Sequence, residues 1–192
     1  MVNPFQPFLS RFDHFKDILA PLDKAPHVEL ETVYKHVGVG WFKDCLIQIL
    51  DPIYIIEITP ILSKLKKLEN KIPFAVNAFG DLFFLNPDNG QIEFYNFFNN
   101  QMTKMADSLP KLLNETLYNL NYHSSLKASE AQQLIKSLGK LTINEIFQPQ
   151  TPILLGGESK RDQFKRSLLL PFLSEITSII QQWETLNIKN HY

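Results

Sequence analysis

Residues 74–98 read FAVNAFGDLFFLNPDNGQIEFYNFF, and the reading of this stretch decides the fold. Two apolar runs, residues 79–86 and 91–96, meet at Asn86-Pro87-Asp88-Asn89-Gly90. That junction has the chemistry of a chain reversal. Proline presets its own φ, and Asn89 and Gly90 tolerate the positive φ a hairpin demands. On the returning run, Ile92, Phe94 and Asn96 share one face, and Glu93, Tyr95 and Phe97 share the other. The window holds too many aromatic side chains for a solvent-facing ribbon. It therefore predicts the central hairpin of a sheet with helices over at least one face. Gly80-Asp81, just ahead of the first run's apolar centre, predicts a bulge or a close backbone approach.

Working outward, the N-terminal segment 1–27 is rich in proline and predicts a short amphipathic helix. Its apolar positions Phe8, Phe12, Phe15 and Leu19 recur at helical spacing, and Pro21 ends it. The polar side is not basic, so the helix is read as packing on the domain rather than on a membrane. Residues 29–36 predict one or two helical turns stopped by Gly38, with Gly38-Val39-Gly40 a turn. Residues 45–50 predict a strand closed by Asp51-Pro52. Residues 53–57 are expected to be extended or a separate turn, because Pro60 interrupts the helical stripe Ile58, Ile61, Leu62, Leu65 and Leu68.

Beyond the hairpin, residues 99–120 predict one or two helices, the second opened by Pro110 and burying Leu109, Leu112, Leu113, Leu117 and Leu120. Ser129-Glu130-Ala131-Gln132 has the form of a capping box, starting a helix that Gly139 ends. Residues 141–147 read as a connector, 151–155 as a short strand, and 160–166 as a basic turn capped by Ser159 and Asp162. A last helix over 171–183 is expected to bury Trp183, and residues 188–192 form a loose tail. The sum is an α+β fold: a mainly antiparallel sheet of residues 45–50, 79–86, 91–96 and 151–155 around the central hairpin, covered by helices. The expected organisation is a single domain over 1–192.

Composition narrows function by exclusion. A formal charge of −1 argues against wholesale electrostatic binding of nucleic acid. The single cysteine, Cys45, excludes an intramolecular disulfide framework and a cysteine-rich metal site. With neither a leader nor an apolar run near 18 residues, a cytoplasmic protein with no membrane partner is expected. His27-Val28-Glu29 has the outline of a zinc H-x-E pattern, yet no paired cysteines follow. No nucleophile elbow, phosphate loop or dinucleotide fingerprint occurs. Asp44, Asp51, Asp81 and Glu158 are acidic residues at turns that could converge at one sheet end. Structural roles in turns are the simpler reading for them, and burial is the simpler reading for Cys45.

Three blocks, in order, resemble one bacterial family. Gly40-Trp41-Phe42-Lys43-Asp44-Cys45-Leu46 through Asp51-Pro52 is similar to the G-W…G-L…P segment of the GAD-like domain. Ala78-Phe79-Gly80-Asp81-Leu82 resembles its A-F-G-D-L centre. Leu138-Gly139-Lys140-Leu141, Glu145-Ile146-Phe147 and Pro152-Ile153-Leu154-Leu155-Gly156-Gly157 resemble the close of the associated C-terminal domain. The likeness spans residues 35–185, with departures at Cys45, where relatives carry glycine, and at Ile153, where they carry alanine.

That resemblance implies a non-enzymatic immunity protein of the type VI secretion systems, one that binds and neutralises a cognate toxin, a nuclease in the best-known relatives, in the cytoplasm. It implies no cofactor, no metal and no catalytic residue. Asp81, Asp88 and Glu158 are the candidate toxin-contacting residues, with Asp81 and the Gly156-Gly157 pair also read as fold-defining. The alternative is a SUKH-like or other protein- or ligand-binding regulatory module without a toxin-neutralising role.

Overall fold

The computed structural model describes residues 3–12, 14–18, 25–158 and 160–189. Seven antiparallel strands follow one another across a single sheet in chain order: β1 (His14–Ile18), β2 (Val39–Phe42), β3 (Ile47–Ile49), β4 (Ile72–Val76), β5 (Leu82–Leu85), β6 (Ile92–Asn96) and β7 (Gln101–Ala106). A second sheet is the hairpin of β8 (Glu145–Pro149) and β9 (Phe164–Leu168). Seven α-helices accompany them among the described residues: α1 (Gln6–Arg11), α2 (Val28–His36), α3 (Pro52–Leu62), α4 (Leu109–Asn114), α5 (Leu120–Ser125), α6 (Ala128–Leu138) and α7 (Leu169–Lys189). The fold is α+β.

The hairpin read from the sequence over 79–86 and 91–96 is β5–β6, held between β4 and β7, although residues 79–81 belong to the turn before β5 rather than to the strand. Its register pairs Leu82 with Tyr95, Phe83 with Phe94, Phe84 with Glu93 and Leu85 with Ile92. The Phe83 and Phe94 rings lie 4.8 Å apart. In the reversal, Gly90 N–H donates to Asn86 O at 2.9 Å, and Gly90 takes φ +70°. Every residue of β2 through β5 except Ile72 is buried, so this part of the sheet is covered on both faces. On one face the Phe8 ring of α1 lies 5.0 Å from Phe42. On the other, Trp41 Nε1 donates to Thr142 O at 2.9 Å. Beside it the buried Gln48 amide donates to Asn144 Oδ1 at 2.9 Å and accepts from Asn144 N–H at 3.0 Å. These bonds tie β2 and β3 to a segment about a hundred residues away and fix where the β8–β9 hairpin sits.

Several expectations are corrected. The N-terminal helix stops at Arg11, and Phe15 belongs to strand β1 (Leu19 and Pro21 lie outside the described residues). Val39-Gly40 is strand rather than turn. The strand expected over 45–50 is confined to Ile47–Ile49, because Lys43, Asp44 and Cys45 form the reversal with φ of 47°, 47° and 63°. Residues 53–57 are helical, since Asp51 Oδ1 caps Ile53 N–H at 2.7 Å and Pro52 occupies the first turn. Pro60 is tolerated near the helix end, where the carbonyl it orphans belongs to the exposed Ile56.

Residues 101–106 are the edge strand β7, whose polar outward side chains hide its alternation. Glu145–Phe147 is strand, whereas Ile153–Leu155 is a 3₁₀ turn and residues 164–168 are strand. Ser129 does not cap α6: the helix begins at Ala128 after Lys127, which sits at φ 55° (Ser159 is outside the described residues). Helix α7 runs on to Lys189, and Trp183 is 45% exposed because it lies past the last packed turn at Ile180. Leu109, Leu112, Leu113 and Leu117 are buried as expected.

Candidate functional site

Strand β4 ends in Asn77-Ala78-Phe79-Gly80-Asp81, a turn that closes on itself. Asn77 Oδ1 accepts from Phe79 N–H at 2.9 Å and from Asp81 N–H at 3.0 Å. Asp81 is completely buried, and three donors hold its carboxylate. Phe97 N–H reaches Oδ1 at 2.9 Å, while the side-chain amides of Asn77 and Asn96 reach Oδ2 at 3.1 and 3.2 Å. Burial raises its pKa from 3.8 to about 6, against the opposing pull of Lys127, the Phe97 amide and Asn77. Gly80 takes φ +86° under the Phe172 ring, and a Cβ there would lie 2.5 Å from Phe172 Cε1 and 2.9 Å from Ile146 Cδ1. Phe147 N–H donates to Ala78 O at 2.7 Å. The sequence blocks around Asp81 and Ile146 thus meet directly, and Trp41 and Gln48 of the first block bind the same strand-leading loop.

Outside this turn lies a cavity of about 460 Å³. Phe79 and Phe164 form its apolar wall, with rings 5.8 Å apart, edge to face. Lys127, Glu130, Gln133 and Arg161 supply its polar groups. The Lys127 ammonium is 4.0 Å from the Phe98 ring centroid and 5.3 Å from that of Phe79. Burial lowers its pKa, while the charges of Asp81 and Glu130 oppose that shift. Arg161 donates to the Gln133 side-chain oxygen. A pocket of this size with rings on one wall and cations on another can take an apolar group that carries a charge.

The remaining sequence candidates sit apart from this site. Asp88 is exposed in the β5–β6 reversal, its N–H donating to Asn86 Oδ1 at 3.1 Å. Glu158 is exposed and pairs with Lys160 at 2.7 Å. Asp44 is exposed 3.7 Å from Lys140, and Asp51 is the cap of α3. The four acidic residues therefore have four separate tasks. His27 Nδ1 accepts from Glu29 N–H at 3.3 Å, which makes the H-x-E outline a helix cap. Cys45 is buried beside a smaller cavity of about 250 Å³, and burial pushes its thiol pKa up. Among the described residues no group of three His, Cys, Asp or Glu could hold a metal ion, and no helix is long and apolar enough to cross a membrane. Sequence reasoning named Asp81, and placed Arg161 and Phe164 in the basic turn 160–166 as a solvated face or a charged rim for a protein partner, but did not name Lys127. No periodicity marks Lys127, Arg161 or Phe164, because the pocket is assembled from a helix start, a 3₁₀ turn and the first residue of a strand.

The sequence matches no family model and no curated protein. Among solved structures, the crystal structure of Atu4351 from Agrobacterium tumefaciens is similar, with a TM-score of 0.65 at 19% identity over 90% of this chain and 88% of that one. The likeness is one of fold.

Proposed function

We propose that this chain is an immunity protein, which binds a cognate secreted bacterial toxin in the cytoplasm and neutralises it without chemistry of its own. The observation that supports this reading is the state of Asp81. It is the acidic residue of the A-F-G-D-L block, and both its oxygens are occupied by protein donors in the interior. A carboxylate held in that way braces a turn and presents what lies outside it. Here that is the aromatic and cationic rim at Phe79, Phe164, Lys127 and Arg161. Interfaces of standard size cover about 800 Å² per partner around a few such anchors. That is under a tenth of this molecule's 9910 Å² surface. The alternative, a ligand-binding regulatory module of the SUKH type, draws on the volume of the same cavity.

The test is co-expression with the product of the gene beside this one in a bacterial host. Growth should be rescued, and the two proteins should co-purify at equal stoichiometry. Titration separates blocking from catalysis: toxin activity should fall linearly to zero at one equivalent. Full inhibition at a small fraction of an equivalent would mean turnover and would overturn the proposal, as would growth arrest despite normal expression of the protein.

A further inference from the structure

The cavity at Phe79 joins two cations whose nearest partners are not carboxylates. The Lys127 ammonium stands against the rings of Phe98 and Phe79, at 4.0 and 5.3 Å. Arg161 donates to Gln133, a neutral amide. Among the described residues neither has an acidic oxygen within 4 Å, although surface lysines such as Lys104 and Lys160 do. Lys127 is also held in place from behind. Its backbone is left-handed, its side chain is half-buried between rings, and helix α6 begins at the next residue. Asp81 balances part of its charge through space, but that carboxylate is walled off and its oxygens are engaged. Among the described residues, the one acidic side chain lining the cavity is Glu130, exposed on the first turn of α6.

We propose that this cavity is a binding site for a carboxylate attached to an apolar, planar group. The carboxylate would take hydrogen bonds from Lys127 and Arg161, and the planar group would lie against Phe79 and Phe164. Charge-assisted bonds of this kind are about twice as strong as neutral ones, and the partly desolvated setting keeps water from competing. Glu130 works against the ligand, so neutralising it strengthens binding. The site does not depend on the immunity reading. The same chemistry arises from a free small acid or from an acidic residue beside an aromatic one on a partner polypeptide.

The experiment is a calorimetric titration of the purified full chain at pH 7, with no toxin present. Phenylacetate represents the free acid, N-acetyl-Asp-Phe-amide the peptide, and phenylacetamide and phenethylammonium the uncharged and cationic controls. Saturable binding of either acid is expected, with the controls at least tenfold weaker. Lys127→Met and Arg161→Gln should each weaken it about tenfold, the worth of one charge-assisted bond. Glu130→Gln should tighten it several-fold, and Lys66→Gln, which removes an equal charge elsewhere, should leave it unchanged. Arg161 is exposed, so its variant reports on binding even if the Lys127 variant does not fold. Preference for phenylacetate assigns the site to a small acid, and preference for the peptide assigns it to a partner's side chain. No saturation by either acid, equal binding of the amide, or indifference to Arg161→Gln together with Glu130→Gln would overturn the proposal.

Discussion

At the residue scale, Asp81 and Gly80 show how one turn sets the geometry of both sheets. Asp81 has its pKa raised from 3.8 to about 6, chiefly by burial. A raised acid binds its proton more tightly in the folded state, so between those values the folded chain holds more protons than the unfolded one. Stability therefore falls as pH rises from about 4 to about 6, by ~3 kcal/mol over the window, and this group contributes no further change above it. Denaturant titrations across pH 4–7 should show that slope. Asp81→Asn should abolish it, and should also cost about 1–3 kcal/mol because its amide nitrogen, a donor, would then face the donating amides of Asn77 and Asn96. An unchanged slope in the variant would assign the titration elsewhere. Gly80→Ala combines strain at φ +86° with an overlap against Phe172 and Ile146. It should destabilise by about 3 kcal/mol or more, read from the shift in the unfolding midpoint. Gly80-Asp81 was legible in the sequence as a close approach, but the Ile146 and Phe172 side chains that close on Gly80 were not, since they come from far downstream in the chain. Cys45 occupies a left-handed position at φ 63° with its side chain buried in the reversal between β2 and β3.

At the element scale, the hairpin and the amphipathic helices were legible because each repeats a pattern over enough residues to stand clear of noise. Strands β7, β8 and β9 were not. Gln101–Ala106 lies at an edge with its polar side chains outward, and Glu145–Pro149 and Phe164–Leu168 are five residues each, the second with exposed Lys165 and Arg166. Pairing, rather than periodicity, makes them strands: Ile146 opposes Ser167 and Phe147 opposes Arg166. Helix α3 failed in the opposite sense, since a proline rule applied locally was outweighed by capping and packing. Asp51 and Pro52 start the helix, Ile55, Ile58 and Leu62 bury its inner face, and Thr59 Oγ1 donates to Ile55 O at 2.7 Å. The packing overcomes a penalty of about 3 kcal/mol for an interior proline. Pro60→Ala should recover part of it, stabilising the chain by ~1–2 kcal/mol after the freer unfolded chain is allowed for. Amide exchange at Ile56–Ser63 should slow accordingly. A destabilised Pro60→Ala variant would mean that the ring itself is a packing element.

At the scale of the whole molecule, the fold is a local meander closed by a few distant contacts, and the N-terminal segment is one of the closures. From the sequence it read as a Pro-rich helix on the outside of a domain. In the structure Phe5, Phe8 and Phe12 are 1%, 0% and 2% exposed. The Phe8 and Phe12 rings stack at 4.7 Å, and Phe8 meets Phe42 of β2. Asn114 of α4 clasps the segment from the other side, its amide donating to Pro4 O at 2.9 Å and its Oδ1 accepting from Phe8 N–H at 3.3 Å. Tyr118 donates to Pro7 O. Removing residues 1–12 therefore opens one face of the sheet instead of trimming a tail. Three fully buried aromatic side chains at about 1.5–3 kcal/mol each amount to roughly 5–9 kcal/mol, as large as the net stability of many domains. For a chain of this length that corresponds to a fall in Tm of at least about 10 °C, accompanied by dye-detectable apolar surface. A milder probe keeps the backbone: Phe8→Ala should cost about 3–5 kcal/mol. If calorimetry instead finds the truncated chain melting within a few degrees of the full one, the segment is an appendage.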